Sequence, residues 1–389
     1  VDGEMYVFNQ VIREEWANGF GPVIRTDLLE ENGIATPTTW DEVLDALAQL
    51  KEIYPDSTPW AIRKGTANLL KTTSYMLGSG FGSVSPSSGM YWDEDLGKYV
   101  YGPADTNFKE VLKFLNKAYT TGVLDQEYAT TDSDSMMTKC TSGQSFFFLD
   151  NSGFGQNYTK ELRKIDGNEN ATFQVLPIPE NSLGERRAVS YDTRFGKLYA
   201  INANAKNKDQ IIKFIDWMYS MEASDITNYG IEGETFQYNA DGEAEYISDY
   251  VMQFKDASPS DYYACWTDIG AGKLDFSMYA CNIKTQREIQ MITGSWSDLT
   301  EDYWKIINDD DAYVQPHIAP PFTTEEAERV KELTTDLDTF FTQEYDKYII
   351  GKESIDNWDA LIKKAEDMGV RELEQLWNDA EARAVAGTK

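Results

Sequence analysis

The sequence predicts an α/β fold, because short apolar runs with strand character are separated by longer amphipathic helices. The strand-like runs are Gln144–Asp150, Thr172–Pro179 and Gly196–Asn202. Helix starts are indicated by two Thr-x-x-Glu sequences, at Thr39 and at Thr323, each followed by apolar residues at helical spacing. A chain of 389 residues is long enough for two or three domains.

The helices are predicted from their caps and apolar stripes. Asn107 and Glu110 resemble a further capping box, and the helix after them should stop at Gly122. The helix that follows Thr323 should span roughly 40 Å, at about 1.5 Å per residue. The remaining predicted helices are Gln210–Met221, Trp358–Asp367 and Glu372–Ala384.

Charge and composition exclude several classes of function. The chain carries 66 acidic and 35 basic residues, a net charge of -31, so phosphate backbones and anionic membrane surfaces would be repelled. We therefore expect no nucleic-acid partner and no direct binding to a membrane surface, and the acidity favours a neutral or cationic ligand. Cys140, Cys265 and Cys281 match no zinc spacing, and a Cys265–Cys281 bridge stays open.

The sequence gives little indication of a catalytic site or a metal site. His317 is the single histidine, so a three-histidine metal site is excluded, and neither HExxH nor G-x-S-x-G occurs. The stretch "YGIEGETF" holds Glu232 and Glu234 beside two glycines, and we interpret it as a bend after a helix rather than as an acidic site. We expect no catalytic residue, no metal and no cofactor.

Four stretches in colinear order resemble the extracellular solute-binding proteins of ABC transporters, in particular the oligosaccharide-carrying, lipoprotein-type branch. They are "GPVIRTDLLEENGIATPTTWDEVLDALAQLKE" (Gly21–Glu52), "FKEVLKFLNKAYTTGVLDQEYATTD" (Phe108–Asp132), "NKDQIIKFIDWMYSMEASDITNYGIEGETF" (Asn207–Phe236) and the C-terminal stretch Phe340–Arg383. The last resembles the family signature F-I-x-G-x-x-x-[ILV]-D-x-W-D. The resemblance implies a two-lobed fold of the type II periplasmic-binding-protein class, in which a solute binds between the lobes.

The resemblance also implies a domain organisation. Residues 1–20 would end lobe one and cross the hinge, residues 21–195 would form lobe two, and residues 196–319 would return to lobe one. Residues 320–389 would brace the lobes with the long helix and the last two helices. Val1–Gln10 resembles a segment that family members reach well inside the mature chain. Lobe one is therefore expected to be incomplete at its N-terminus, with a lipid-anchored cysteine further upstream.

Carbohydrate recognition needs aromatic faces and short polar side chains on loops. By the resemblance, the first crossing offers Trp16 and Asn18, although Trp16 could instead pack the hinge. The second crossing offers Tyr191 and Arg194, and Arg194 could instead pair with a surface acid. The other candidates are Asp150, Asn151 and Phe154 at a strand end, and Trp266 and Trp296 in polar loops.

The resulting prediction is a non-catalytic binding protein that captures a carbohydrate and delivers it to the permease subunits of an ABC importer. The full-length protein would be an extracellular monomer held at the cell membrane by its lipid anchor. Two alternatives stay open. One is a protein of the same fold that binds a peptide or another solute. The other is a glycoside-acting enzyme, which would need paired carboxylates in the cleft.

Overall fold

The structure is a computed structural model that describes residues 6–9, 11–12, 19–80, 89–188, 198–240, 242, 244–247, 282–283, 298–312, 317 and 319–387. Contacts between Cα atoms divide the chain into two compact units. Unit 1 comprises Ala17–Tyr191 and Leu299–Lys389, together with the terminal Val1, and unit 2 comprises Asp2–Trp16 and Asp192–Asp298. The chain therefore passes between the units after Trp16, after Tyr191 and after Asp298.

Short groups of strands alternate with groups of helices along the chain, and this mixed architecture agrees with the predicted α/β class. The described strands are β1 (Phe8–Asn9), β2 (Val11–Ile12), β3 (Phe20–Arg25), β4 (Met90–Asp93), β5 (Lys98–Tyr101), β6 (Phe147–Asn151), β7 (Phe173–Val175), β8 (Leu198–Tyr199), β9 (Phe236–Tyr238), β10 (Ala244–Tyr246) and β11 (Asn282–Ile283). The described α-helices are α1 (Thr26–Glu31), α2 (Trp40–Ile53), α3 (Gly65–Thr73), α4 (Phe108–Thr120), α5 (Ser133–Thr141), α6 (Phe154–Leu162), α7 (Lys208–Met218), α8 (Met221–Tyr229), α9 (Asp298–Asp309), α10 (Thr324–Ile349), α11 (Trp358–Asp367) and α12 (Val370–Gly387).

The central sheet of unit 1 has the strand order β6-β3-β7, with β3 antiparallel to both neighbours. Val23 at its centre lies opposite Phe148 on one side and Val175 on the other. The segment at Trp60 extends this sheet, because Trp60 pairs in parallel with Phe147 of β6 and also with Leu124. The three strands bury nearly all their apolar residues, so the sheet forms the floor of the unit 1 core.

Two of the three predicted capping boxes are confirmed. The Thr39 hydroxyl accepts a hydrogen bond from the Glu42 backbone N–H at the start of α2, and Thr323 does the same at the start of α10. The prediction for Asn107 was wrong, because its backbone is already helical and its side chain makes no cap hydrogen bond. A side chain caps best from an extended backbone, and Asn107 does not have one.

The long helix predicted after Thr323 is confirmed as α10, which has 26 residues. It packs against α4 through aromatic rings, with the rings of Tyr345 and Phe108 stacked at a centroid distance of 4.6 Å. Phe341 lies 5.2 Å from Tyr345 and 5.7 Å from Tyr101 of β5. These contacts place α10 in the core of unit 1.

Trp92 packs against the core of unit 1. It lies in β4, and its ring is partly buried and stacked on that of His317, with centroids 4.0 Å apart and planes 8° apart. His317 Nε2 lies 3.1 Å from Glu381 Oε1 on α12. His317 therefore has a structural role that connects the β4–β5 hairpin to the C-terminal helix.

Unit 2 is built from short strand pairs and two helices in its described part. Here β1 pairs with β8, β9 pairs with β10, and β2 runs parallel to β11. The helix predicted over Gln210–Met221 ends at Met218, and α8 begins at Met221. Trp217 on α7 is half-buried, with its ring near the exposed ring of Phe214.

The predicted bend at "YGIEG" is confirmed. Gly230 follows α8 with φ of 93°, a conformation that side chains with a Cβ resist. A Cβ at Gly230 would also lie 2.4 Å from Thr235 Oγ1, so the turn needs glycine for both reasons. Glu232 and Glu234 are exposed on this turn. The two acidic residues therefore lie on the surface of a structural bend.

Asp338 on α10 gives unit 1 a pH-dependent contribution to stability. Burial raises the pKa of Asp338, while the hydrogen bond from the Tyr101 hydroxyl, 2.8 Å long, opposes that shift. Because the folded protein holds this proton more tightly than the unfolded chain, stability falls as the pH rises from about 3.9 through the raised pKa.

We expect Asp338→Asn to remove this slope and to stabilise the protein at pH 7, since an amide oxygen can still accept from Tyr101. The measurement is the free energy of unfolding between pH 4 and pH 7 for both proteins. Asp336→Asn, at an exposed position of the same helix, is the matched control. A stability difference between Asp338→Asn and wild type that does not change with pH would contradict the assignment.

Candidate functional site

Polar and aromatic side chains meet at one edge of the unit 1 sheet. β6 ends there with Asp150 and Asn151, and the antiparallel β3 begins there, with Phe20 opposite Asn151. The segment at Trp60 runs parallel to β6, so its continuation brings Arg63 to the same edge. Strand ends of one direction meet at a common edge of a sheet, where binding residues commonly collect.

Arg63 and Asp150 form a bidentate ion pair at this edge. Arg63 Nε donates to Asp150 Oδ2 over 2.8 Å, and Arg63 Nη2 donates to Oδ1 over 2.7 Å. The Asp150 side chain is 3% exposed and that of Arg63 is 17% exposed. The hydrogen bond to Asp150 raises the pKa of Arg63. The pair is therefore a fixed, charge-compensated fork with its guanidinium on the outside.

Asn151 and Phe154 complete the cluster. The Asn151 side-chain oxygen accepts from the Gly153 backbone N–H over 3.0 Å, which fixes the turn between β6 and α6. Phe154 opens α6, and its ring centroid lies 5.0 Å from the central carbon of the Arg63 guanidinium. The guanidinium thus lies over the face of a partly buried aromatic ring, which helps to hold it in place. The planar guanidinium and its remaining N–H groups offer the flat surface and the directed donors that flat polar ligands require.

Helix α9 packs against β3 and α6, the elements that lead to this edge of the sheet. A Cβ at Gly21 of β3 would lie 2.4 Å from the Tyr303 ring, and one at Gly155 of α6 would lie 2.7 Å from Leu299. Glycine at both positions lets α9 pack directly on the backbone. Tyr303 is fully buried, its hydroxyl has no hydrogen-bond partner among the described residues, and burial raises the pKa of its phenol. This close packing holds the site on a rigid support.

The structure brings together three of the residues predicted from the sequence, namely Asp150, Asn151 and Phe154. The other predicted site residues lie outside the described residues: Trp16, Asn18, Tyr191, Arg194, Trp266 and Trp296. Cys265 and Cys281 lie outside them too. Sequence reasoning missed Arg63. The available signal was weak, since Arg63 follows the short apolar stretch "WAI" and only its position at a strand end could have suggested a site.

A polar cavity of about 840 Å³ lies at the opposite edge of the same sheet. Arg25 at the end of β3 lines it and pairs with Asp27, with Nε to Oδ1 at 2.7 Å and Nη2 to Oδ2 at 2.5 Å. Here the arginine is the buried partner, 4% exposed, and the aspartate is 17% exposed. The cavity contains none of the predicted site residues.

Neither a candidate metal-binding group nor a membrane-spanning helix occurs in the described residues. Among those residues, no group of three or more His, Cys, Asp or Glu side chains is arranged to hold a metal ion. Within the same part of the chain, no helix combines the length and the apolar character that a membrane span requires.

Comparison with known proteins adds the family. The model of the family described as "Bacterial extracellular solute-binding protein" matches residues 7–225, more than half of the chain. Polygalacturonan/rhamnogalacturonan-binding protein YtcQ of Bacillus subtilis (strain 168) is 22% identical over 386 residues, which are 98% of this chain and 70% of YtcQ. Fructooligosaccharide ABC transporter substrate-binding protein FusA of Streptococcus pneumoniae serotype 4 is 22% identical over 391 residues, covering 95% of this chain and 68% of FusA.

Solved structures show the same fold. The crystal structure of alginate-binding protein AlgQ2 without calcium ion superposes with a TM-score of 0.72 at 19% identity, covering 97% of this chain and 74% of AlgQ2. The predicted two-lobed, type II class of α/β fold is thereby confirmed. With the family model matching more than half of its length, the chain belongs to the bacterial extracellular solute-binding proteins.

Proposed function

We propose that this protein captures a carbohydrate outside the cell and delivers it to the permease subunits of an ABC importer. The observation that carries the proposal is the cluster of Arg63, Asp150 and Phe154 at the edge of the unit 1 sheet. A sugar presents flat apolar faces and a ring of hydroxyl groups, and this cluster presents a planar guanidinium that is fixed by Asp150 and Phe154 and keeps N–H donors of its own.

The names of the relatives support the same class of ligand. YtcQ is named for binding polygalacturonan and rhamnogalacturonan, FusA for fructooligosaccharides, and AlgQ2 for alginate. All of these named ligands are saccharide polymers or oligomers. Since each shares less than a quarter of its residues with this chain, they support carbohydrate as a class and leave the sugar itself to experiment.

The proposal also covers the remaining predicted site residues, the oligomeric state and the location of the protein in the cell. Trp16, Asn18, Tyr191, Arg194, Trp266 and Trp296 would add further contacts to the sugar. We propose a monomer that performs no catalysis and that a lipid holds at the outer face of the membrane in the full-length protein. The motifs in Gly21–Glu52 and Phe340–Arg383, which resemble the lipoprotein-type branch, support the anchor.

A thermal-shift screen against a glycan library, followed by calorimetry, tests the proposal. A ligand at 100 times its Kd stabilises a protein by about 2.7 kcal/mol, so a true ligand should raise the Tm by several degrees. Phe154→Ala should weaken the binding of that glycan by roughly tenfold, since the ring that holds the Arg63 guanidinium in place is lost. Trp217→Ala, in unit 2, is a control for the loss of a half-buried aromatic residue.

Two results would contradict the proposal. The first is the absence of any shift with every glycan in the library, while an amino acid, a peptide or another small solute gives one. The second is the release of reducing sugar from a bound glycan over time, since a carrier returns its ligand unchanged.

A further inference from the structure

The two bidentate Arg–Asp pairs of unit 1 differ in which partner is buried. In the Arg25–Asp27 pair the cation is buried, 4% exposed, and the carboxylate is 17% exposed. In the Arg63–Asp150 pair the carboxylate is buried, 3% exposed, and the cation is 17% exposed. The second pair therefore presents its guanidinium outward and keeps its carboxylate behind it, where a ligand does not reach it.

The geometry of Arg63 defines which of its donors remain for a ligand. Asp150 occupies the edge of the guanidinium formed by Nε and Nη2. Among the described residues, no hydrogen bond engages Nη1, so the end of the fork formed by Nη1 and Nη2 is available. Asn151 adds a second donor, because its Oδ1 is used by Gly153 and its Nδ2 has no partner in the described part of the chain.

The charges in this cluster already balance. Asp150 accepts from Arg63 through both oxygens, and its Oδ1 also accepts from the Asn151 backbone N–H over 2.7 Å. A carboxylate on the ligand would therefore add an uncompensated negative charge close to a buried one. It would do so in a protein whose net charge is -31. A hydroxyl oxygen accepts from the same donors without that cost.

We infer that Arg63, positioned by Asp150 and by the Phe154 ring under its guanidinium, selects an uncharged saccharide, with the free end of the guanidinium donating to adjacent hydroxyl oxygens. This inference rests on the proposed carbohydrate function and narrows it. Of two sugars with the same linkage and stereochemistry, the neutral one binds more tightly than the one that carries a uronate carboxylate. Asp150 is a positioning residue, and its buried charge supplies the discrimination.

The test is calorimetry with pairs of oligosaccharides that differ in the carboxylate alone. Suitable probes are β-1,4-mannotriose with β-1,4-trimannuronate, and cellotriose with β-1,4-triglucuronate, together with the matched pair for any hit of the glycan screen. We expect the neutral member to bind at least tenfold more tightly. A uronate that binds as tightly as its neutral counterpart overturns the inference and leaves the carbohydrate function standing. Failure of every saccharide to bind overturns both.

The Asp150→Asn variant distinguishes a role of Asp150 in ligand selection from a purely structural role. It leaves the Arg63 charge uncompensated, so the ratio of neutral to uronate affinity should move toward the uronate by roughly tenfold or more. A purely structural role for Asp150 would lower both affinities together and leave the ratio unchanged, which would contradict the inference.

The double variant Arg63→Gln/Asp150→Asn removes the donor fork without stranding a buried charge. It should weaken the neutral sugar by at least tenfold. Arg25→Gln/Asp27→Asn makes the same chemical change at the opposite edge of the sheet and should leave the Kd unchanged. Loss of sugar binding in this second double variant, with binding retained in the first, would place the sugar in the 840 Å³ cavity and overturn the assignment to Arg63.

Discussion

Trp60→Ala is expected to lower the free energy of unfolding by about 3–5 kcal/mol, the range for truncating a large aromatic residue in a core. Trp60 is 1% exposed. Its ring meets that of Phe147 edge-on at 5.4 Å and that of Phe114 at 6.2 Å. The alanine would leave a cavity in the middle of the unit 1 core, where neighbouring strands hold the backbone and limit collapse.

The measurement is denaturant unfolding with linear extrapolation, with Trp217→Ala as the control. Trp217 is half-buried on α7, and its Nε1 donates to Glu222 across an exposed hydrogen bond, so its loss should cost much less. Equal losses for the two variants would show that the Trp60 cluster does not carry the stability of unit 1. The Trp60 substitution should also weaken ligand binding, because the Trp60 segment leads to Arg63.

Arg63→Gln is expected to cost about 3–5 kcal/mol, because it strands the Asp150 carboxylate in a buried position. Asp150→Asn should cost less, since the more exposed Arg63 guanidinium can turn toward water. The double variant Arg63→Gln/Asp150→Asn should recover much of the loss, because neither residue then carries a charge. The order of the three stabilities follows directly from which partner of the pair is buried.

A double-mutant cycle in urea measures this order. The same cycle at Arg25 and Asp27 is the matched control, and there the order of the single variants should reverse, since Arg25 is the buried partner. Costs for Arg63→Gln and Asp150→Asn that simply add in the double variant would mean that the two charges do not interact in solution. That result would also remove the basis for assigning Asp150 a positioning role.

The local elements of the fold could be predicted from the sequence because their causes are local. The Thr39 and Thr323 capping boxes, the apolar face of α10 and the bend at Gly230 each depend on residues within a few positions of one another. Asn107 shows the limit, since its sequence suits a cap and its backbone does not adopt one. The motifs also indicated the family. Each motif alone is common, but four of them in the same order along the chain are specific for one family.

The candidate site depends on a local sequence pattern and on a contact between distant segments of the chain. From the sequence alone, Asp150, Asn151 and Phe154 lie at or just after the end of a buried strand, where polar residues tend to serve a site. Only the tertiary structure paired Asp150 with Arg63, which is 87 residues away in the chain, and buried the carboxylate rather than the guanidinium. The pairing of Asp150 with Arg63 depends on strand pairing between distant segments. The sequence pattern of either segment alone does not indicate which segment it pairs with.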